Sequence, residues 1–242
     1  MCGAALAQWP RNIWRGEQRM RTDTFARGKA YEAHDLLRLH TLPPMSDMPA
    51  WLPRVFADAP YAVVRRAEAP PGLVAAGFRG PSRAQRYGAF VALDSIVSAC
   101  SPEHLRDRPP SPERRALSAF QALEALARHG WLDALTWGPT GSVGFELATG
   151  RPVVSDTSDL DLLIRMPTPL PRATARTLRA RLSTVEAALG VRIDTQLETP
   201  AGGVSLSEWA DHKPRVMARS RCGPSLVADP WSAPQAHDGG PP

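Results

Sequence analysis

Cysteine is scarce in this 242-residue chain and poorly placed for structural work: Cys2, Cys100 and Cys222 are far apart, odd in number and free of any C-x-x-C pair. That pattern excludes a disulfide framework and offers no thiolate zinc site. No run approaches the ~20 consecutive apolar residues that a bilayer span needs. Residues 1–10 lack the charged segment and apolar run of a secretory signal. These absences predict a cytoplasmic protein with no membrane partner. Lysine is almost missing, with Lys29 and Lys213 the only two among 29 basic residues, a bias we read as genome composition. No G-x-x-x-x-G-K phosphate loop is present, and His34, His40, His104, His129, His212 and His237 all lie outside recognisable nucleophile motifs. P-loop and Ser-His-Asp chemistries are therefore set aside.

What is present suits a folded enzyme. A 43% hydrophobic content is enough for a real core, in one large domain or two modest ones. The net charge of +5 is concentrated at one end. Residues 1–30 hold Arg11, Arg15, Arg19, Arg21, Arg27 and Lys29 against Glu17 and Asp23, which leaves the rest nearly neutral. Two readings of this arm stand: a basic segment for an anionic surface, or an extension ahead of a true start at Met20. With the charge confined there, no nucleic-acid partner is expected.

Proline clusters at 42–53, 106–112 and 230–242 mark loops or linkers. They divide the chain into an arm at 1–30, an N-terminal substrate or cap domain at 31–105, a linker at 106–112, a catalytic domain at 113–232 and a tail at 233–242 with the composition of disorder. In the first domain, residues 61–66 and 73–78 read as a hairpin across Pro70-Pro71-Gly72. A Gly-Pro-Ser turn and a helix-like run at 87–97 follow. Arg79, Arg83 and Arg86 gather at that turn, either to hold phosphate at a helix start or as a solvated face. The second domain predicts a helix capped by Ser111 and ended by Gly130, a strand at 134–137 and a brief helix to Leu147. A strand at 160–166, a helix at 172–189 closed by Gly190 and a strand at 191–197 come next. A short helix with capping-box spacing at 205–208 and a final hairpin complete a mixed α/β (α+β) fold, in which helices flank a mixed sheet beside a smaller N-terminal α/β domain.

Alternation along the strand at 160–166 points Leu160, Leu162 and Ile164 one way and Asp159 and Asp161 the other. Adjacent carboxylates repel unless a divalent cation lies between them, and an oxygen-only pair suits Mg²⁺. Ser142, seventeen positions before Asp159, follows Gly141 at the head of a short helix whose backbone N–H groups suit a phosphate. Asp194 alternates onto one face with Arg192 and Gln196. It is either a third acid that completes the cluster or takes a proton from an attacking hydroxyl, or a surface residue. The chemistry that follows is attack of a hydroxyl on an α-phosphorus with pyrophosphate leaving.

The string Trp137-Gly138-Pro139-Thr140-Gly141-Ser142-Val143-Gly144-Phe145-Glu146, followed by Ser158-Asp159-Leu160-Asp161, resembles the malonate decarboxylase holo-acyl-carrier-protein synthase family, also called phosphoribosyl-dephospho-CoA transferase. The likeness reaches back to His34-Asp35-Leu36-Leu37 and Gly77-Phe78-Arg79-Gly80, and forward to Glu208-Trp209 and Leu226 to Trp231. The resemblance implies a nucleotidyltransferase-type fold, and as its activity the transfer of phosphoribosyl-dephospho-CoA from 2'-(5''-triphosphoribosyl)-3'-dephospho-CoA to a serine of the apo acyl carrier protein of malonate decarboxylase, releasing diphosphate. The family's paired aspartates fall on Asp159 and Asp161, as Mg²⁺ ligands, and its phosphate turn on Gly141 and Ser142. Another carrier protein or a small-molecule hydroxyl is the alternative acceptor on the same core.

Overall fold

Residues 31–232, apart from Arg83 and His212, are described by the computed structural model. The arm at 1–30, the tail at 233–242 and the candidate Arg83 lie outside the described residues.

The N-terminal part is an antiparallel five-stranded sheet built from β1 (Leu36–Leu39), β2 (Tyr61–Val64), β3 (Leu73–Arg79), β4 (Arg86–Ala92) and β5 (Ile96–Cys100), in the order β4-β3-β2-β1-β5. Helix α1 (Leu52–Asp58) begins inside the proline cluster at 42–53, because Pro53 sits in its first turn, where no N–H is needed. One face of the sheet buries Leu37, Leu39, Ala62, Val64, Phe78 and Val91 with Leu52 of α1. The β2–β3 hairpin forms as expected, with Gly72 at φ +79°. The helix expected at 87–97 does not form. That stretch becomes β4, a single 3-10 turn at Leu93–Ser95, and β5. Residues 86–91 alternate exposure, Phe90 out and Val91 in, and all of β3 offers them a partner, so pairing overrides the apolar run.

The C-terminal part carries α2 (Pro102–Leu105), α3 (Ser118–His129), β6 (Thr136–Pro139), α4 (Gly141–Thr149), β7 (Leu160–Arg165), α5 (Arg172–Leu189), β8 (Ile193–Thr199), β9 (Gly202–Ser205), α6 (Leu206–Ala210), β10 (Val216–Ser220) and β11 (Gly223–Val227). The strands form one sheet ordered β11-β10-β9-β8-β7-β6, in which only β7 and β8 are parallel, joined through α5. Leu160, Leu162, Ile164, Ile193 and Leu197 share a core with Phe120, Leu123 and Leu126 of α3 and Leu178 and Leu182 of α5. Helix α5 has the bounds that its apolar spacing predicts, closed by Gly190 in the left-handed region at φ +64°. Helix α3 starts later than Ser111 suggests. Pro112–Arg114 is a separate 3-10 turn and Leu117 is extended, so the α-helix opens only at Ser118, while the Arg114 guanidinium pairs with Glu146. The capping box at 205–208 does not close either: Glu208 Oε2 accepts from the Met217 amide at 3.1 Å.

Helix α2 and a band of charge join the two parts. A Cβ on Gly138 of β6 would lie 2.0 Å from the Pro102 carbonyl oxygen, so only glycine lets α2 approach β6 so closely. Arg165 of β7 reaches Glu32 at 2.6 Å, Asp35 at 3.6 Å and Glu103. Arg66 pairs with Glu198 of β8 and lies 3.0 Å from His34 Nε2, which in turn is 3.1 Å from Gln196 Nε2. Among the described residues no helix is long and apolar enough to cross a membrane.

Candidate active site

The site grows from the turn between β6 and α4. Gly141 has φ +59°, and a Cβ there would fall 1.9 Å from Asp161 Oδ2, so the Asp161 carboxylate rests against the bare Cα. The Thr140 amide donates to the Asp161 carbonyl at 2.8 Å, which fixes the turn to β7. The first helical bond of α4 runs from the Gly144 amide to the Thr140 carbonyl, leaving the N–H groups of Gly141, Ser142 and Val143 ahead of the hydrogen-bonded ladder. Those donors and the positive end of a nine-residue helix meet the carboxylate of β7 at one place.

The sequence-derived acids come together. Asp161 and Asp194 are register partners across the parallel β7–β8 ladder, and Asp159 immediately precedes β7. Burial first, then the Asp194 and Asp159 carboxylates, push the Asp161 carboxyl above its usual range, while Arg79 and Arg192 oppose the shift. Arg192, a residue the sequence reading placed only on the same face, bridges the group. Its Nε lies 3.2 Å from Asp194 Oδ1 and its Nη1 lies 4.0 Å from Asp159 Oδ2. The i, i+2 spacing of Arg192 and Asp194 on one strand was the available signal. Among the described residues no three His, Cys, Asp or Glu side chains form a ready-made metal cage. A two-carboxylate set of oxygen donors beside a turn of N–H groups outside the helical ladder nevertheless fits Mg²⁺, which takes one or two carboxylates and completes its shell with water and substrate oxygens.

The arginines are placed differently from the sequence expectation. Arg79 and Arg86 face each other as cross-strand partners in the β3–β4 hairpin, so there is no helix start between them to hold phosphate. Arg79 nonetheless lies near enough to act on Asp161. Behind the turn, Glu146 of α4 is 6% exposed and accepts from Arg114 Nε at 2.9 Å and from the Val153 and Val154 amides, each at 2.7 Å. Burial raises its carboxyl, but these donors outweigh burial and hold it below the usual range. Glu146 thereby anchors the loop that delivers Asp159. Its buried role is invisible in the sequence, where it is one more helical glutamate.

The family model for the phosphoribosyl-dephospho-CoA transferase MdcG N-terminal domain matches residues 32–102, and that for the C-terminal domain matches residues 104–230. A phosphoribosyl-dephospho-CoA transferase of Pseudomonas putida is 47% identical over 202 residues, covering 82% of this chain and 94% of that protein. The enzyme of that name from Azotobacter vinelandii (strain DJ / ATCC BAA-1303) is 43% identical over 189 residues, 76% of this chain and 85% of its own. No solved structure matches. The chain belongs to the phosphoribosyl-dephospho-CoA transferase family.

Proposed function

We propose that this protein transfers the phosphoribosyl-dephospho-CoA group from 2'-(5''-triphosphoribosyl)-3'-dephospho-CoA to a serine of the apo acyl carrier protein of malonate decarboxylase. The serine oxygen attacks the phosphorus next to the ribose, a phosphodiester forms, and diphosphate leaves with the electrons of the broken P–O bond. The observation that carries this reading is the Asp161 carboxylate seated on Gly141, at the mouth of the α4 phosphate turn and in register with Asp194.

Each residue then has a task. The N–H groups of Gly141, Ser142 and Val143 grip the departing phosphates and fix the reacting phosphorus in front of Asp161. Asp159 and Asp161 are the residues that would hold Mg²⁺. When bound, that ion supplies charge neutralisation on the transferring phosphate. In this reading the Asp194 carboxylate, on a side chain 48% exposed, takes the serine proton from an incoming carrier. Arg192 and Arg79 add positive charge around a group that gains negative charge in transfer. In this reading the N-terminal domain caps the site and selects the substrate.

The test incubates the protein with the donor, Mg²⁺ and apo carrier, and follows diphosphate release beside carrier mass. Release stoichiometric with a mass gain of one phosphoribosyl-dephospho-CoA, abolished when the carrier's acceptor serine is changed to alanine, supports the proposal. Diphosphate release without carrier labelling would instead assign the acceptor to water or a small hydroxyl.

A further inference from the structure

Arg65 is a cation that the mechanism above leaves unused. It follows β2 directly, and its side chain lies across two cross-strand glycines, Gly77 of β3 and Gly88 of β4. A Cβ on Gly77 would meet Arg65 Cδ at 3.3 Å, and one on Gly88 would meet Arg65 Nη1 at 2.2 Å, so any larger residue at 88 would displace the guanidinium. Arg65 is exposed, and among the described residues its guanidinium has no carboxylate partner. The next cross-strand pair on this face, two residues along, is Arg79 and Arg86. In the other direction Gly77 pairs with Val63, which lines a small cleft with Pro139, Thr140, Gly141 and Gly144. The face thus runs from the phosphate turn across two strand spacings, roughly 10 Å, to Gly88. No acidic residue stands on this face of β2, β3 or β4.

We propose that this glycine-floored face is a second phosphate-binding subsite, which takes the diphosphate bridge of a nucleotide-linked substrate with Arg65 as its main ligand. The proposal rests on the function above: the donor carries two separate anionic groups, the triphosphate that reacts and the diphosphate inside dephospho-CoA. The Gly141 turn accommodates the first. The planar guanidinium grips a phosphate through two parallel N–H bonds, and the missing side chains at 77 and 88 let Arg65 lie flat on the sheet with its outer N–H edge open to a ligand.

The test measures 3'-dephospho-CoA binding by calorimetry in the absence of Mg²⁺, a fragment with the diphosphate bridge and no reactive triphosphate. Wild type binds it, Arg65→Gln binds at least ~10-fold more weakly, in line with a lost charge-assisted contact, and Arg128→Gln, an exposed arginine of α3 away from this face, stays within about 2-fold of wild type. Gly88→Ala weakens binding as well, through displacement of Arg65. Equal affinity in wild type and Arg65→Gln, with matched thermal unfolding, overturns the proposal, as does failure of wild type to bind. The readout involves neither acceptor nor transfer, so an enzyme inactive on the carrier protein would leave an Arg65-dependent affinity standing.

Discussion

Gly141 and Asp161 constrain one another at the scale of single residues. The left-handed φ of +59° at position 141 already costs an L-residue roughly 1–2 kcal/mol. A methyl group there would also occupy the place of the Asp161 carboxylate oxygen. Gly141→Ala is therefore expected to lower transfer by at least ~100-fold through a misplaced carboxylate, with a drop in thermal stability of only a few degrees for the strained φ. Unchanged steady-state kinetics in that variant would show that Asp161 need not rest where it does. The paired aspartates and the Gly-Ser turn were legible in the sequence because strand alternation and a small-residue helix start are local patterns. Arg192 was legible only as a neighbour of Asp194 on one strand face, since its reach to Asp159 depends on how β7 and β8 pair, and Arg65 was not legible at all, since it acquires meaning only above two glycines of other strands.

Among the elements, the loop between α4 and β7 depends on one part-buried ion pair. Glu146 ties Arg114 and the Val153 and Val154 amides into a single network. Removing the carboxylate leaves both amides without their acceptor and the part-exposed guanidinium with only the Val154 carbonyl, so Glu146→Ala is expected to cost about 2–3 kcal/mol. Urea unfolding monitored by circular dichroism checks this; a change below about 1 kcal/mol would mean that the loop holds without its anchor. The same reasoning explains which elements were readable. Helix α5 repeats its apolar residues over 18 positions and ends at a glycine, so local pattern and tertiary packing agree. Strands β4 and β5 lie in a largely apolar stretch, broken at Asp94 and Ser95, whose period is ambiguous, and only pairing with β3 and β1 settles it. Strand β1 and helix α2 are four residues each, too short to display a period.

The whole molecule is joined by a polar seam, which makes its stability depend on pH. His34, at the seam with φ +73°, has its imidazole pushed down from 6.5 to about 4 by burial and by the nearby Arg66 and Arg165. Asp35, 3% exposed, is pushed up from 3.8 to about 6, chiefly by burial. Below pH 6.5 the unfolded chain binds a proton at position 34 that the folded chain refuses, so His34 erodes stability as pH falls toward 4. Asp35 acts oppositely: the folded chain takes its proton first, so stability is gained as pH falls from about 6 toward 3.8. The two nearly cancel in wild type. His34→Gln removes one side, and that variant is expected to gain about 2 kcal/mol on going from pH 6.5 to pH 4.5 while wild type stays close to level. Parallel profiles from chemical denaturation would contradict this. The central claim, that Asp161 on its glycine seat directs phosphoribosyl-dephospho-CoA onto a carrier serine, is tested most directly by intact-mass spectrometry of apo malonate decarboxylase carrier protein after incubation with donor and Mg²⁺. Full labelling by wild type, none with EDTA, and at least ~100-fold slower labelling by a folded Asp161→Asn variant is the predicted result; labelling by Asp161→Asn at the wild-type rate would contradict it.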